Sequence, residues 1–192
     1  MGFSDLYIWD ISYQRGPLHV KAAQKIDYRG LFRGDVVPTE PVKFVRSMGG
    51  RPQDIVTCEY VVIWLVSDKV VNLLRGEGIT GWRTFPVEVT GKGGTPITGY
   101  HGFAVTGRCG PVDPRRSVPA ILPPLVPGGP ARHQRLGLYF DLNTWDGSDV
   151  FVPANIDRVF VVRRVKEVLE RNKIPRREFE PAKEAINTMD VD

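Results

Sequence analysis

Residues 65–89 read LVSDKVVNLLRGEGITGWRTFPVEV, and the fold turns on how this stretch divides. Ser67 is a helix N-cap residue type, because its hydroxyl oxygen can accept a hydrogen bond from a free N–H of the first turn. Asp68 then places negative charge at the positive end of the helix dipole. Val70, Leu73 and Leu74 stand at i, i+3 and i+4 and make one apolar stripe. Gly76 and Gly78 can take the left-handed conformation that ends a helix. Ile79 and a Thr80–Gly81 break follow, and then a strand-like run over 82–89 in which Pro86 favours an edge. The unit reads strand, short helix, strand.

The same unit returns 95 residues later, in VFVVRRVKEVLERNKIPRREFEP. Leu65 and Val66 become Phe160 and Val161, and Val70 becomes Val165. Leu73, Leu74 and Ile79 become Val168, Leu169 and Ile174. An aromatic-plus-proline ending recurs as Phe85–Pro86 and as Phe179 with Pro181. The cap serine is lost to Val162, and Arg171 and Lys173 stand where the two glycines were. Either two amphipathic helices align by pattern alone, or the chain carries an internal duplication with half-repeats at about 60–89 and 155–180. The second is the expectation carried forward.

A chain of 192 residues is expected to form one domain over 1–192. At this size it buries roughly 70% of its unfolded surface, enough for a core without staples. The longest apolar run, 60–66, is far too short for a membrane span. The opening MGFSDLYIWD has no basic stretch before an apolar one, so no secretory signal is expected and the location expected is cytoplasmic. The two cysteines, Cys58 and Cys109, lack CxxC spacing, and His19, His101 and His133 are scattered. Neither a structural zinc nor any other metal or cofactor is expected. Reduced thiols fit such a compartment, with a Cys58–Cys109 disulfide as the alternative.

Along the chain, 3–11 alternates as a strand, 20–26 is ambiguous, and 42–45 is a short strand. Residues 55–66 (IVTCEYVVIWLV) are β-branched or aromatic almost throughout, which predicts a central strand buried on both faces. Residues 90–98 form a glycine-rich hairpin loop, and 100–105 returns as a strand. The segment 111–130 holds seven of the sixteen prolines and reads as a surface loop or covering arm, not a helix or central strand. A strand over 136–142 and a hairpin at the Asp146–Gly147 turn are expected next. Short strands at 150–152 and 159–162 follow, then the basic helix, and 183–192 frays. The fold class is therefore α+β, a mainly antiparallel sheet with two short helices.

The residue types that carry catalysis form no recognisable motif, and no catalytic residue is assigned. His101 beside the Asp146–Asp149 turn could set a base next to a carboxylate, the basis of a small-molecule enzyme. Residues 158–184 hold nine Lys/Arg against five Asp/Glu, which carries the chain's net charge of +4. Arg163, Arg164, Lys166, Arg171 and Lys173 would then be the contacts of a nucleic-acid binder, although no aromatic interleaving supports one.

Four blocks decide between these readings: residues 65–91, GYHGFAVTGRCGPVD at 99–113, GLYFDLNTWDGSDVF at 137–151, and VVRRVKEVLERNKI at 161–174. They resemble immunity proteins of bacterial polymorphic-toxin systems, most closely the double-CxxCG type of myxobacteria and their relatives. The resemblance implies a small cytoplasmic protein that binds and neutralises a cognate toxin domain without catalysis of its own. The two CxxCG motifs of that type are absent here, and Cys109–Gly110 keeps only the tail of one. The zinc they imply does not carry over. Trp82, Tyr100, Arg108, Trp145 and Asp146 are the expected partner contacts, because aromatic residues and arginine dominate binding energy.

Overall fold

The computed structural model describes residues 2–12, 16–60, 62–175 and 177–189. In chain order the first strands are β1 (Leu6–Ile11), β2 (His19–Ala22), β3 (Val42–Met48), β4 (Ile55–Cys58) and β5 (Trp64–Ser67), with helix α1 (Tyr28–Arg33) between β2 and β3. Helix α2 (Asp68–Gly76) leads to β6 (Trp82–Phe85), β7 (Val87–Thr90), β8 (Pro96–Ile97), β9 (Tyr100–Val105) and β10 (Gly107–Cys109). Then come β11 (Val118–Leu122), β12 (Arg132–Leu136), β13 (Val150–Pro153) and β14 (Val159–Val162). Helix α3 (Arg163–Arg171), β15 (Arg177–Pro181) and β16 (Ile186–Asn187) complete it. The class is α+β and dominated by sheet, with a third helix, α1, that periodicity did not reveal. Asp27 starts that helix by accepting the Gly30 N–H at 2.9 Å, and Gly34 ends it at φ +70°.

The expected central strand over 55–66 is instead a tight hairpin. Ile55 faces Val66 and Val56 faces Leu65 across an antiparallel pair. The Cys58 and Ile63 N–H groups bond the carbonyls of Ile63 and Tyr60 and close the turn. Val61, part of that expectation, lies outside the described residues. Continuous hydrophobicity arose because both arms are buried on both faces, a pattern that does not reveal the turn between them.

The 82–89 run is also two strands. Val42 N–H donates to the Pro86 carbonyl at 3.0 Å, and Pro86 has no N–H of its own to offer a ladder. β6 and β7 lie near opposite ends of an eight-stranded sheet ordered β6-β9-β5-β4-β2-β3-β7-β8. Only one residue separates them, so the sheet curls back until its ends meet at Pro86. The ring of Phe85 fills the space over Gly102, where an added Cβ would stand 2.1 Å from it.

The echo at 95 residues is a structural repeat. β4, β5, α2 and the start of β6 map onto β13, β14, α3 and the start of β15 at that offset. Ile55↔Val66 and Val56↔Leu65 recur as Val150↔Val161 and Phe151↔Phe160. The carboxylates repeat too: Asp54 pairs with Lys69 at 2.9 Å and Asp149 with Arg164 at 2.6 Å. Both helices end alike, with Ile79 N–H on the Leu74 carbonyl and Ile174 N–H on that of Leu169. Gly78 at φ +63° has its counterpart in Lys173 at φ +53°. Ser67 caps α2 through the Val70 N–H at 3.4 Å, whereas Val162 offers α3 no side-chain cap.

The repeats exchange their central strands. β9 lies between β5 and β6, and β1 lies in the same position between β14 and β15. The second sheet is ordered β10-β13-β14-β1-β15, and β10 runs parallel to β13 as β2 does to β4. Buried residues from both sheets, including Trp9, Phe44, Leu65, Phe103 and Phe160, form one core cluster.

The rest departs from the sequence reading in four places, the first being Phe3–Asp5, a 3-10 turn ahead of β1 where the strand was expected to begin at residue 3. The expected strand over 136–142 stops at Leu136, because Gly137 turns the chain at φ +95°; Leu138 and Phe140 are still buried. No hairpin forms at Asp146–Gly147, since the segment before it is a short 3-10 turn capped by Asp141. Residues expected to fray instead dock: β16 pairs with β12 in a three-stranded sheet β11-β12-β16, and Ala185 and Asn187 are buried. Residues 190–192 of that expectation lie outside the described residues.

Two stability measurements follow. Lys173→Gly should raise the unfolding free energy by about 0.5–1 kcal/mol, whereas Gly78→Ala should lower it by about 1 kcal/mol, because left-handed backbone penalises any Cβ. Gly102→Ala should cost about 2 kcal/mol or more in urea unfolding, and Phe85→Leu in the same chain should recover part of it.

Candidate interaction surface

The structure brings four of the five expected contact residues to one place. The Gly81 carbonyl accepts the N–H groups of Thr106 and Gly107 at 2.8 and 3.0 Å. A Cβ on Gly81 or Gly107 would press into the Val150 carbonyl at 2.0 or 2.2 Å, so the backbones meet where only glycine fits. Around this node the Trp82 indole donates to the Ile79 carbonyl at 2.8 Å and stacks on Phe103. Asp146 accepts the backbone N–H of Arg108 at 2.7 Å and of Ser148 at 2.9 Å. The Trp145 indole donates to the Ser148 carbonyl at 3.1 Å.

The Arg108 guanidinium donates to the carbonyls of Val105, Gly107 and Arg33 and pairs with Asp35 at 3.2 Å. Tyr100 lies at the opposite end of β9, where its hydroxyl donates to the Gln53 carbonyl at 2.7 Å. Burial raises its pKa, and Asp54 adds to the rise against that hydrogen bond. The polar ends of all five residues are thus engaged within the fold.

The two alternative site assignments do not assemble as expected. His101 donates from Nε2 to Asp68 at 2.7 Å, while Asp146 is held at Arg108 and Asp149 at Thr80 and Arg164. His101 and the 146–149 turn therefore form no acid–base pair. On the basic helix, Arg163 pairs with Asp5, Arg164 with Asp149, Lys166 with Glu170 and Arg171 with Glu77. Paired charges of this kind give a weak electrostatic footprint for a phosphate backbone.

A surface that side-chain type did not single out is the proline-rich segment. It folds as an arm whose β11–β12 hairpin leaves Val118 58% exposed, Ile121 69%, Leu125 80% and Val126 63%. The arm's base is fixed by a buried polar pair, in which Ser117 donates to the Gly137 carbonyl at 2.6 Å and accepts from Asn187 at 2.8 Å. β11 is an edge strand, as its prolines required, and Pro119 within it withholds an N–H from any added strand.

Arg116, Arg132 and Arg135 bond the carbonyls of Phe140, Pro123 and Ser117, so these bonds leave their positive charge uncancelled. Exposed aliphatic side chains on a segment rich in arginine make this arm the candidate surface for a partner, with Val118 and Ile121 on opposite faces of β11. Its sequence signal was present in Val118, Ile121, Leu125 and Val126, large apolar residues in a segment too rich in proline to be core.

Cys58 and Cys109 are both free and buried. Burial pushes the Cys109 thiol up to about 12, with the Asp146 charge adding and Arg33 opposing, and burial raises Cys58 as well. Because the folded pKa lies above the unfolded one, Cys109 favours the folded state fully below the ordinary thiol range and loses that contribution as pH climbs toward 12. Native protein should therefore resist Ellman's reagent at mildly alkaline pH and react at both thiols in urea. Its stability should fall with pH above the thiol range, and by less in Cys109→Ala.

No protein-family model matches this chain, and no curated protein matches it.

Proposed function

We propose that the chain is a non-enzymatic immunity-type protein of the cytoplasm that binds a cognate bacterial toxin domain and neutralises it by covering its working surface. The observation that carries the reading is the set of exposed aliphatics Val118, Ile121, Leu125 and Val126. It stands on an arm with a fixed base and several arginines. The resemblance of residues 65–91, 99–113, 137–151 and 161–174 to immunity proteins supports the same reading. The occupant is a toxin face with an apolar centre and an acidic rim. Such a face buries the exposed aliphatics and meets Arg116, Arg132 and Arg135 with opposite charge, which steers encounter and excludes basic competitors. Trp82, Arg108, Trp145 and Asp146 contribute by holding the scaffold rigid. Tyr100 does the same at the far end of β9.

The test is co-expression with the C-terminal domain of the protein encoded by the neighbouring upstream gene, scored by growth and by co-purification. The native chain should rescue growth and co-purify. Ile121→Asp with Leu125→Asp should weaken the complex by about 30-fold or more, the cost of losing a central apolar anchor, while leaving the folded spectrum intact. Rescue by the double variant at native strength would remove the arm from the interface. A toxin domain that neither kills nor associates would sink the immunity reading itself.

A further inference from the structure

The tip of the arm, residues 123–131, joins β11 to β12 beyond their last cross-strand pair, Leu122↔Arg132. Four of its residues are prolines, Pro123, Pro124, Pro127 and Pro130, and each fixes its own φ. The chain reverses over 126–129, where the Gly129 N–H bonds the Val126 carbonyl at 3.1 Å. Pro127 leads that turn, and Gly128 follows at φ +78°, the left-handed value that a type II turn requires at its third residue. The loop also packs on itself. A Cβ on Gly129 would stand 3.2 Å from Val126 Cγ2 and 3.3 Å from Pro124 Cβ. Across the neck, Arg132 Nε donates to the Pro123 carbonyl at 3.1 Å.

A loop held in this way displays Leu125 and Val126 at its end, and Leu125 is more exposed than any other large apolar residue among those described. A flat partner would touch such a projection on one side and leave the rest of it in water. A concave partner surrounds it and removes more apolar area from water. Prolines restrict the loop before any partner arrives, so less conformational freedom is lost on binding. Charge narrows the occupant further. Residues 111–136 hold Arg115, Arg116, Arg132 and Arg135 against a single acid, Asp113. Arm-to-arm pairing with a second copy would set arginines against arginines, whereas an acidic partner complements them.

We propose that the tip is a preformed plug: Leu125 and Val126 enter an apolar cleft of the toxin domain, and the lip of that cleft is acidic. The inference rests on the immunity reading and narrows its contact from a face to a cleft. Val118 and Ile121, back along β11, rest at the lip and contribute little.

The experiment measures affinity by calorimetry between the full chain and the C-terminal domain of the protein encoded by the neighbouring upstream gene. Leu125→Ala with Val126→Ala should weaken binding about 30-fold or more, and Val118→Ala with Ile121→Ala by about threefold or less. Pro124→Ala with Pro127→Ala removes no exposed aliphatic of the tip but loosens it, and should weaken binding about fivefold or more. The substituted aliphatics are exposed, so these variants should keep the native near-ultraviolet spectrum. Equal losses from the tip pair and the β11 pair would mean a flat contact and overturn the proposal. Native affinity in the tip variant or in the proline variant would overturn it as well, and each of these results leaves the immunity reading standing. A domain that does not bind the native chain sinks that reading and the plug together.

Discussion

The exchange of central strands is the constraint on which the rest of the structure depends. Within each repeat the hairpin and the strand after its helix leave a gap, and the strand that fills it comes from the other repeat. β1 gives Leu6, Tyr7, Ile8 and Trp9 to the ladder with β14, and β9 gives Tyr100, His101, Gly102 and Phe103 to β5. A backbone ladder left open in the interior would strand several donors and acceptors without water. Neither half can therefore satisfy its sheet alone. Trp9 and Phe103 hold corresponding places in the two repeats and touch at 5.6 Å between ring centroids. The seam between repeats is thereby the middle of the core.

Where the repeats differ, the molecule has surfaces to spare. At corresponding places, between β2 and β4 and between β10 and β13, each carries an insertion. The first, with α1 and β3, is drawn into the curled sheet, and β3 pairs with β7. The second makes the β11–β12 arm, and its partner β16 keeps it in a separate three-stranded sheet. The same insertion point thus yields a wall in one half and a projecting arm in the other.

Much of the fold was legible in residues whose chemistry is local. Ser67 as a cap, Gly78 as a stop and the apolar stripe of α2 follow from hydrogen bonding and sterics within a few residues. The echo at 95 residues was readable for the same reason, because a repeated local pattern needs no knowledge of what it packs against. The exact bounds of β9 were legible too, from breakers on either side. Of the sites, the proline count marked 111–130 as surface. The grouping of Trp82, Arg108, Trp145 and Asp146 could not be read from spacing, since it hangs on backbones meeting at Gly81 and Gly107.

The sequence by itself determined an α+β chain with two matching strand–helix–strand units and an arm that cannot be core. Only the tertiary structure decided that 55–66 is a hairpin, that 82–90 splits at Pro86 to close a curled sheet, and that each repeat lends its first strand to the other. The physical reason is one of range. Caps, stops and stripes are set by energies between neighbours in the chain. Strand order is set by which distant edge is still unsatisfied when the core closes, and a run buried on both faces carries no mark of that edge.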